Sequence, residues 1–327
     1  MQNILGIDIG GTKCAVSLGE VENGEITIIN KETFQTSNTP DPFAMISKLQ
    51  KGVEKIIALQ QLSIHNIAAI GISCGGPLDS KRGLILSPPN LPGWDAIPVV
   101  SLFQEKFGIP VFLQNDANAC ALAEWKFGAG KGYRNVIFLT FGTGLGAGLI
   151  FDGRLYSGTN DMAGEVGHIR LENIGPVGYG KAGSFEGFCS GNGITQIAQI
   201  KIRERFQMGQ AVSFCKSPEE IGLITAKAVA EAATNGDELA IEIYKLSGAY
   251  LGRGLSILID VLNPEVIIIG SIIVSSGNLI LPAAMEIIKR EALQHSQNVC
   301  RILPAKLGDM VGDFAALSVA MYNLEQL

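Results

Sequence analysis

Apolar residues in this chain fall in short runs punctuated by glycine, and the runs alternate with stretches of helical period. The first, ILGIDIGGTKCAVSLG (4–19), is apolar, then glycine-rich, then apolar again, which predicts strand, tight turn and strand. Residues 25–33 (EITIINKET) extend this as a third strand. From 41 to 61, with Asp41 and Pro42 at the head, the spacing becomes helical. IAAIGIS (67–73) reads as a buried strand, 98–107 as a short helix, IPVFLQ (109–114) as a strand and 117–127 as the helix that follows it.

At residue 136 the opening pattern returns as VIFLTFGTGLGAGLIF. Ile7-Asp8-Ile9-Gly10-Gly11-Thr12 aligns with Leu139-Thr140-Phe141-Gly142-Thr143-Gly144, so the chain reads as an internal duplication of a hairpin unit. A glycine-rich stretch (153–193) follows, then a long helix ending near Leu262, broken by Asn263-Pro264. The strand EVIIIG (265–270), a helix near 279–292, the strand VCRILPA and a last helix from about 313 complete the pattern. Alternating strands and helices in two halves that begin alike predict an α/β protein with two related lobes and a cleft between them. No Pro- or Ser-rich linker separates the halves, so tight coupling is expected.

Composition narrows this picture. At 327 residues and 47% hydrophobic, the chain can build one large or two medium cores. Its 40 glycines point to tight turns and close backbone approaches. A net charge of −6 with no basic block argues against nucleic acid as the main partner. The N-terminus MQNILGIDIGG lacks a basic n-region and holds Asp8 in its apolar run, unlike a signal peptide. LSILIDVL is interrupted by Asp260 and VIIIGSIIV by Gly270 and Ser271, so no run is expected to reach the ~20 residues of a membrane span. The expectation is a soluble, cytoplasmic chain without a membrane partner. Cys14, Cys74, Cys120, Cys189, Cys215 and Cys300 lie far apart with no CxxC, which reads as reduced thiols rather than a disulfide framework or zinc ribbon.

Candidate chemistry gathers at the two glycine turns. Such turns expose backbone N–H groups, and phosphate oxygens suit them. Asp8 ends the first strand, where a carboxylate can hold Mg²⁺ through water; Thr12 and Lys13 add a hydroxyl and a charge. GxxxxGK[ST] is absent. GTGLGA (142–147) fits the dinucleotide fingerprint, but GLIFDGRLYSG follows it as strand and hairpin where that motif needs a helix. Singly, each turn also reads as an ordinary hairpin; the repetition favours phosphate binding. Asn115 and Asp116 lie between a strand and a helix, where they read either as helix caps or, for Asp116, as a general base on a hydroxyl. The loops SCGGPLD (73–79, with Gly76) and PPNLPGW (88–94, with Asn90) suit a polyhydroxyl ligand or are plain connections. In MAGEVGHIRL (162–171), Glu165 and His168 are open to several roles: metal ligand, base, substrate contact or buried polar residue.

GIDIGGTK, PPNLPGW, QNDANACALAEWKFGA, FGTGLGAGLI and AGEVGH, in that order, with LNPEVIIIG as a weaker match, resemble the ROK family of sugar kinases and sugar-linked repressors, within the actin-like ATPase (ribonuclease H-like) superfamily. The resemblance runs from residue 4 to about 320. It implies a small lobe of residues 1–115 joined by the helix at 312–327, a large lobe of 116–311, and a homodimer. It implies ATP and Mg²⁺, with the ATP phosphates on Gly10, Gly11, Thr12 and Lys13 and on Gly142, Thr143 and Gly144, and Asp116 as the base. It implies sugar contacts from Asn90, Asn115, Glu165, His168 and Glu186. The reaction implied is phosphorylation of a hexose, glucokinase-like. Kinases for N-acetylmannosamine, N-acetylglucosamine, fructose or allose, and a non-catalytic sugar-sensing regulator, are the alternatives. Repressors of the family carry an added N-terminal helix-turn-helix, for which a first strand at residue 4 leaves no room.

Two departures stand out. The nucleotide-side motif, usually GGG, is Gly270-Ser271-Ile272. Many members bind zinc through the histidine matching His168 and three cysteines, but this chain has VGYGKAGSFE at 177–186, with Val177, Tyr179 and Ser184 at the cysteine positions. Four good ligands are needed for structural zinc. The loop near 172–184 is therefore expected to be held by packing and to be the more mobile for it. Elemental analysis of the purified protein is expected to find no stoichiometric zinc; one zinc per chain would overturn this reading.

Overall fold

The computed structural model describes residues 2–327. In chain order the first half holds β1 (Gln2–Ile9), β2 (Lys13–Glu22), β3 (Glu25–Gln35), α1 (Pro42–Leu59), β4 (Ile67–Cys74), β5 (Leu78–Asp79), β6 (Leu84–Ile85), α2 (Val99–Phe107), β7 (Val111–Asn115) and α3 (Asp116–Phe127). Then come β8 (Val136–Leu139), β9 (Ala147–Phe151), β10 (Arg154–Leu155), β11 (Val177–Gly178), β12 (Lys181–Ala182), α4 (Phe185–Phe188), α5 (Gly191–Gln207), α6 (Ala226–Thr234) and α7 (Glu238–Leu262). β13 (Val266–Ile269), α8 (Ile272–Glu291), α9 (Gln294–Val299), β14 (Arg301–Pro304) and α10 (Val311–Leu324) end the chain.

The chain divides into two compact units. The first comprises the residues up to Gly132, with Gly148–Ala163 and Asp309–Leu327; the second comprises Tyr133–Ala147 and Gly164–Gly308. The C-terminal helix joins the first unit, and α3 stays there too, because it packs against α10. The first unit therefore runs past residue 115, where the sequence reading ended it.

The first unit is built on a five-stranded sheet of order β3-β2-β1-β4-β7. β1 runs antiparallel to β2 and parallel to β4, and β4 is parallel to β7. Helix α1 begins at Asp41, whose side chain accepts the Ala44 N–H at 2.7 Å, with Pro42 in its first turn. Met45, Leu49, Val53 and Ile56 lie on one helical stripe and are buried against β2 and β3. Helix α10 packs on β1 and β4, where the strand glycines admit it. A Cβ built on Gly71 would stand 2.2 Å from the Ala316 carbonyl oxygen and 2.5 Å from the Ala320 nitrogen.

In the second unit β8, β13 and β14 form a parallel core, with Val136, Val266 and Arg301 in register. Helix α7 stops where Asn263 turns left-handed (φ 44°), ahead of Pro264. α7 and α8 meet through glycine: a Cβ on Gly248 would lie 2.4 Å from the Ile280 carbonyl oxygen. α8 starts at Ile272, seven residues before the position read from sequence, because Gly270 and Ser271 suffice to turn the chain from β13. It has 20 residues and is long and apolar enough to cross a membrane by length and composition, contrary to the expectation that no segment would be. Ser275, Ser276 and Pro282 hide its length in the sequence. The backbone leaves helical geometry at Ser276 (φ −131°), beside Gly277. Ile273, Ile280, Ala284 and Ile288 are buried.

Gly71→Ala is expected to destabilise the fold by the upper end of the ~1–3 kcal/mol that overpacking costs. Rigid backbone of α10 is what the new methyl meets. Denaturant melts of the variant would check this, and an unchanged midpoint would contradict the close packing.

Candidate active site

β1 delivers Asp8 to the carboxyl end of the first sheet, opposite Ser73 of β4. The glycine turn follows at once. Gly10 donates its N–H to the Lys13 carbonyl at 3.1 Å, and its own carbonyl accepts the Thr36 hydroxyl at 2.7 Å. Gly11, Thr12 and Lys13 are exposed. Asn90 is exposed and sits against this turn: a Cβ on Gly11 would lie 2.5 Å from the Asn90 carbonyl oxygen. Buried Leu91 and Trp94 anchor that proline-rich loop.

β7 ends at Asn115, in register with Cys74 of β4. The sequence left Asn115 and Asp116 open between cap and site, and the geometry shows the cap. Asn115 caps α3, its side-chain oxygen accepting the Ala117 N–H at 2.9 Å, while its amide nitrogen faces Gly76. Asp116 Oδ1 accepts the same N–H at 2.8 Å, and its Oδ2 faces Gly75. Asp116 is exposed, yet the protein packed around it desolvates its carboxyl and raises its pKa above the usual carboxylate value.

Asp8 is affected more strongly. Burial, then the nearby charges of Asp116 and Asp313, push its pKa from 3.8 to about 7, against the lowering pull of Lys13 and Lys31. Asp313, at the start of α10, is buried and pairs with Lys31 at 2.6 Å and with the Ser17 hydroxyl at 3.2 Å. No sequence signal marked Asp313 or Lys31, which are 282 residues apart.

The second unit holds the second glycine turn. Thr140 closes it, its N–H donating to the Gly146 carbonyl (3.0 Å) and its hydroxyl accepting the Gly146 N–H (2.9 Å). Gly142 donates to the Gly144 carbonyl, and Thr143 is exposed at the tip. Glu186, in α4, accepts the Leu145 N–H at 2.9 Å, and a Cβ on Gly144 would lie 2.8 Å from its carboxylate. The Glu165–His168 segment packs on the same turn, since a Cβ on Gly167 would stand 2.1 Å from the Leu145 carbonyl oxygen. Glu165 and His168 are both exposed. Gly144, Glu165, His168 and Glu186 are thus gathered in one place within this unit.

Gly270 donates to the Leu139 carbonyl at 2.9 Å, which sets the N-terminus of α8 beside the second turn. Ser271 takes a left-handed backbone (φ 48°, ψ −105°) that glycine adopts at less cost. Beside it opens a cavity of about 550 Å³, lined by Lys227, Glu231, Tyr244, Ile272 and Ser275 among others. The sequence reading missed it. Its only trace there is the small-residue helix AKAVAEAAT, which leaves room between helices.

The 177–186 segment does not fit zinc. Val177 and Tyr179 are exposed and Ser184 is buried, its side chain capping α4 through the Gly187 N–H at 3.1 Å. Among the described residues no group of three or more His, Cys, Asp and Glu is placed to hold a metal ion. Hydrogen bonds pin this loop where packing alone was expected. Gln196 binds both the N–H and the carbonyl of Val177 (2.9 and 2.8 Å), Arg170 donates to the Ala182 carbonyl, and Gly183 accepts from both Leu171 and Glu172.

The fold thus carries two glycine turns at strand ends, the first beside Asp8 and Asn90 and the second beside Glu186. The ROK family model matches residues 4–321. A glucokinase of Streptomyces coelicolor is 31% identical over 97% of this chain and 96% of its own length. A xylose repressor of Caldicellulosiruptor bescii is 29% identical over 94% of this chain and 75% of its own. The crystal structure of a ROK family glucokinase from Streptomyces griseus in complex with glucose and AMPPNP matches with a TM-score of 0.75 at 28% identity, over 98% of this chain and 99% of that one. The chain belongs to the ROK family, with the actin-like ATPase fold, and within it to the ATP-dependent sugar kinases.

The raised Asp8 pKa carries a stability consequence. The folded value lies above the unfolded one, so the stabilisation is complete below about pH 4 and is lost as pH rises through about 7. In the absence of nucleotide and divalent metal, Asp8→Asn is expected to flatten the fall in melting temperature between about pH 4 and pH 7. A wild-type slope retained in the variant would place the titration elsewhere.

Proposed function

We propose that the chain transfers the γ-phosphoryl group of ATP to a hexose hydroxyl, with Asp116 as general base. The observation that carries this is the posture of Asp116. One carboxylate oxygen is held by the helix N-terminus, the other faces Gly75, and the surrounding protein raises the group's proton affinity. As the sugar oxygen bonds to phosphorus, its proton passes to Asp116 and the bond to the departing ADP oxygen breaks. Phosphoryl transfer needs little more from a protein than position and charge stabilisation.

Gly10–Lys13 in the first unit and Gly142–Gly144 in the second offer backbone N–H groups, a lysine and hydroxyls to the phosphates. Asp8, whose pKa burial and the nearby charges of Asp116 and Asp313 raise, would hold Mg²⁺ through water, and that ion supplies neutralising charge when bound with the nucleotide. The cavity beside Ser271 and Ile272 suits the nucleoside end of ATP, which would lie next to the second turn. Asn90 and Asn115, with Gly76 close by, and Glu165, His168 and Glu186 take the hydroxyls of the sugar. The relatives named glucokinase favour glucose.

ADP release with Mg-ATP against glucose, mannose, fructose, allose, N-acetylglucosamine and N-acetylmannosamine is expected to single out one sugar by kcat/KM, with glucose foremost. Asp116→Asn is expected to bind that sugar normally and to lose about 100-fold or more of kcat. Survival of turnover to within about tenfold would remove Asp116 from the role of base.

A further inference from the structure

The hairpin of β11 and β12 pairs Val177 with Ala182 and Gly178 with Lys181, leaving Tyr179 and Gly180 as its two central residues. Both have positive φ, 43° and 73°. Two-residue hairpin turns of this kind demand positive φ at both positions and therefore select Asn, Asp or Gly. A tyrosine there is strained by its Cβ. Burial does not offset the strain, since Tyr179 is 72% exposed. What its ring does meet is the imidazole of His168, edge-on at 74° with centroids 6.4 Å apart. The hairpin holds the same residue from behind, for the Lys181 ammonium donates to the His168 carbonyl at 2.7 Å. The Gln196 amide in turn clamps both backbone groups of Val177 at the hairpin's base.

Backbone strain that no burial offsets, spent where it touches a proposed ligand contact, is the pattern of a functional position. We propose that Tyr179 is a positioning residue, which fixes the His168 imidazole in the orientation that meets a sugar hydroxyl. This rests on reading His168 as a sugar contact. An exposed imidazole otherwise turns freely about its side-chain bonds, and ordering it on binding weakens affinity; holding it beforehand avoids that loss.

The test is Tyr179→Asn, which suits the turn and removes the ring. It is expected to raise the melting temperature and to raise the sugar KM about three- to tenfold, the worth of an aromatic pair. The KM for ATP and kcat at saturating sugar stay near wild type, and Tyr179→Phe behaves as wild type. In a His168→Ala background the substitution no longer alters the sugar KM. A purely structural tyrosine would instead lower the melting temperature and disturb both KM values. With only three histidines in the chain, the His168 ring signals can be assigned by NMR, and they are expected to move in Tyr179→Asn. An unchanged sugar KM, unmoved His168 signals, or a KM effect that persists without His168 each overturns the proposal. Absence of wild-type turnover on every sugar would defeat the kinase reading instead, and the His168 signals would still decide whether Tyr179 orders the ring.

Discussion

Parallel pairing of β1, β4 and β7 is the constraint on which the candidate site of the first unit depends. Because the three strands run the same way, Ile9, Cys74 and Asn115 finish at one edge, and the loops that leave them start side by side. Residues 10–13, 75–77 and 115–116 are neighbours for that reason alone. In open α/β sheets the ligand crevice lies outside the carboxyl ends of the strands. The second unit repeats the device in smaller form: β8 and β13 are parallel, so Leu139 and Ile269 end together and the second glycine turn meets the start of α8.

Glycine serves two distinct ends in this architecture. At Gly71 and Gly248 it lets helices approach to backbone contact, which tightens the scaffold. At Gly11, Gly144 and Gly167 it lets loops press on one another, which brings Asn90 to the first turn and Glu186 and the His168 segment to the second. A side chain at Gly11 would push Asn90 off the first turn, and one at Gly144 or Gly167 would push Glu186 or the His168 segment off the second.

In each unit the candidate site is also where the chain departs from its own stability. Asp8 is a half-buried carboxyl kept among other acids, and it retains its proton close to neutrality. Ser271 and Tyr179 hold left-handed backbone that their side chains disfavour. Unfavourable charge and strained turns persist where surrounding structure dictates them. Here the Lys31–Asp313 pair, a parallel sheet and the Gln196 clamp are what surrounds them.

Much of this was legible in the chain itself. Glycine between apolar runs announces tight turns, because only glycine gives free backbone there, and the recurrence of the pattern exposed the two halves. Asp41-Pro42 and Asn263-Pro264 marked helix ends through local chemistry that needs no partner. Asn115 and Asp116 were visible as candidates for cap or site, and the structure shows the cap. Contacts decided the rest. Where the first unit ends was fixed by the packing of α3 on α10; the length of α8 was masked by Ser276 and Pro282 and settled by its burial against α7. Asp313, Lys31 and the cavity beside α8 carry no local signature, since each exists only when distant segments meet. Sequence alone records preferences between near neighbours; proximity between residues hundreds of positions apart is a property of the folded chain.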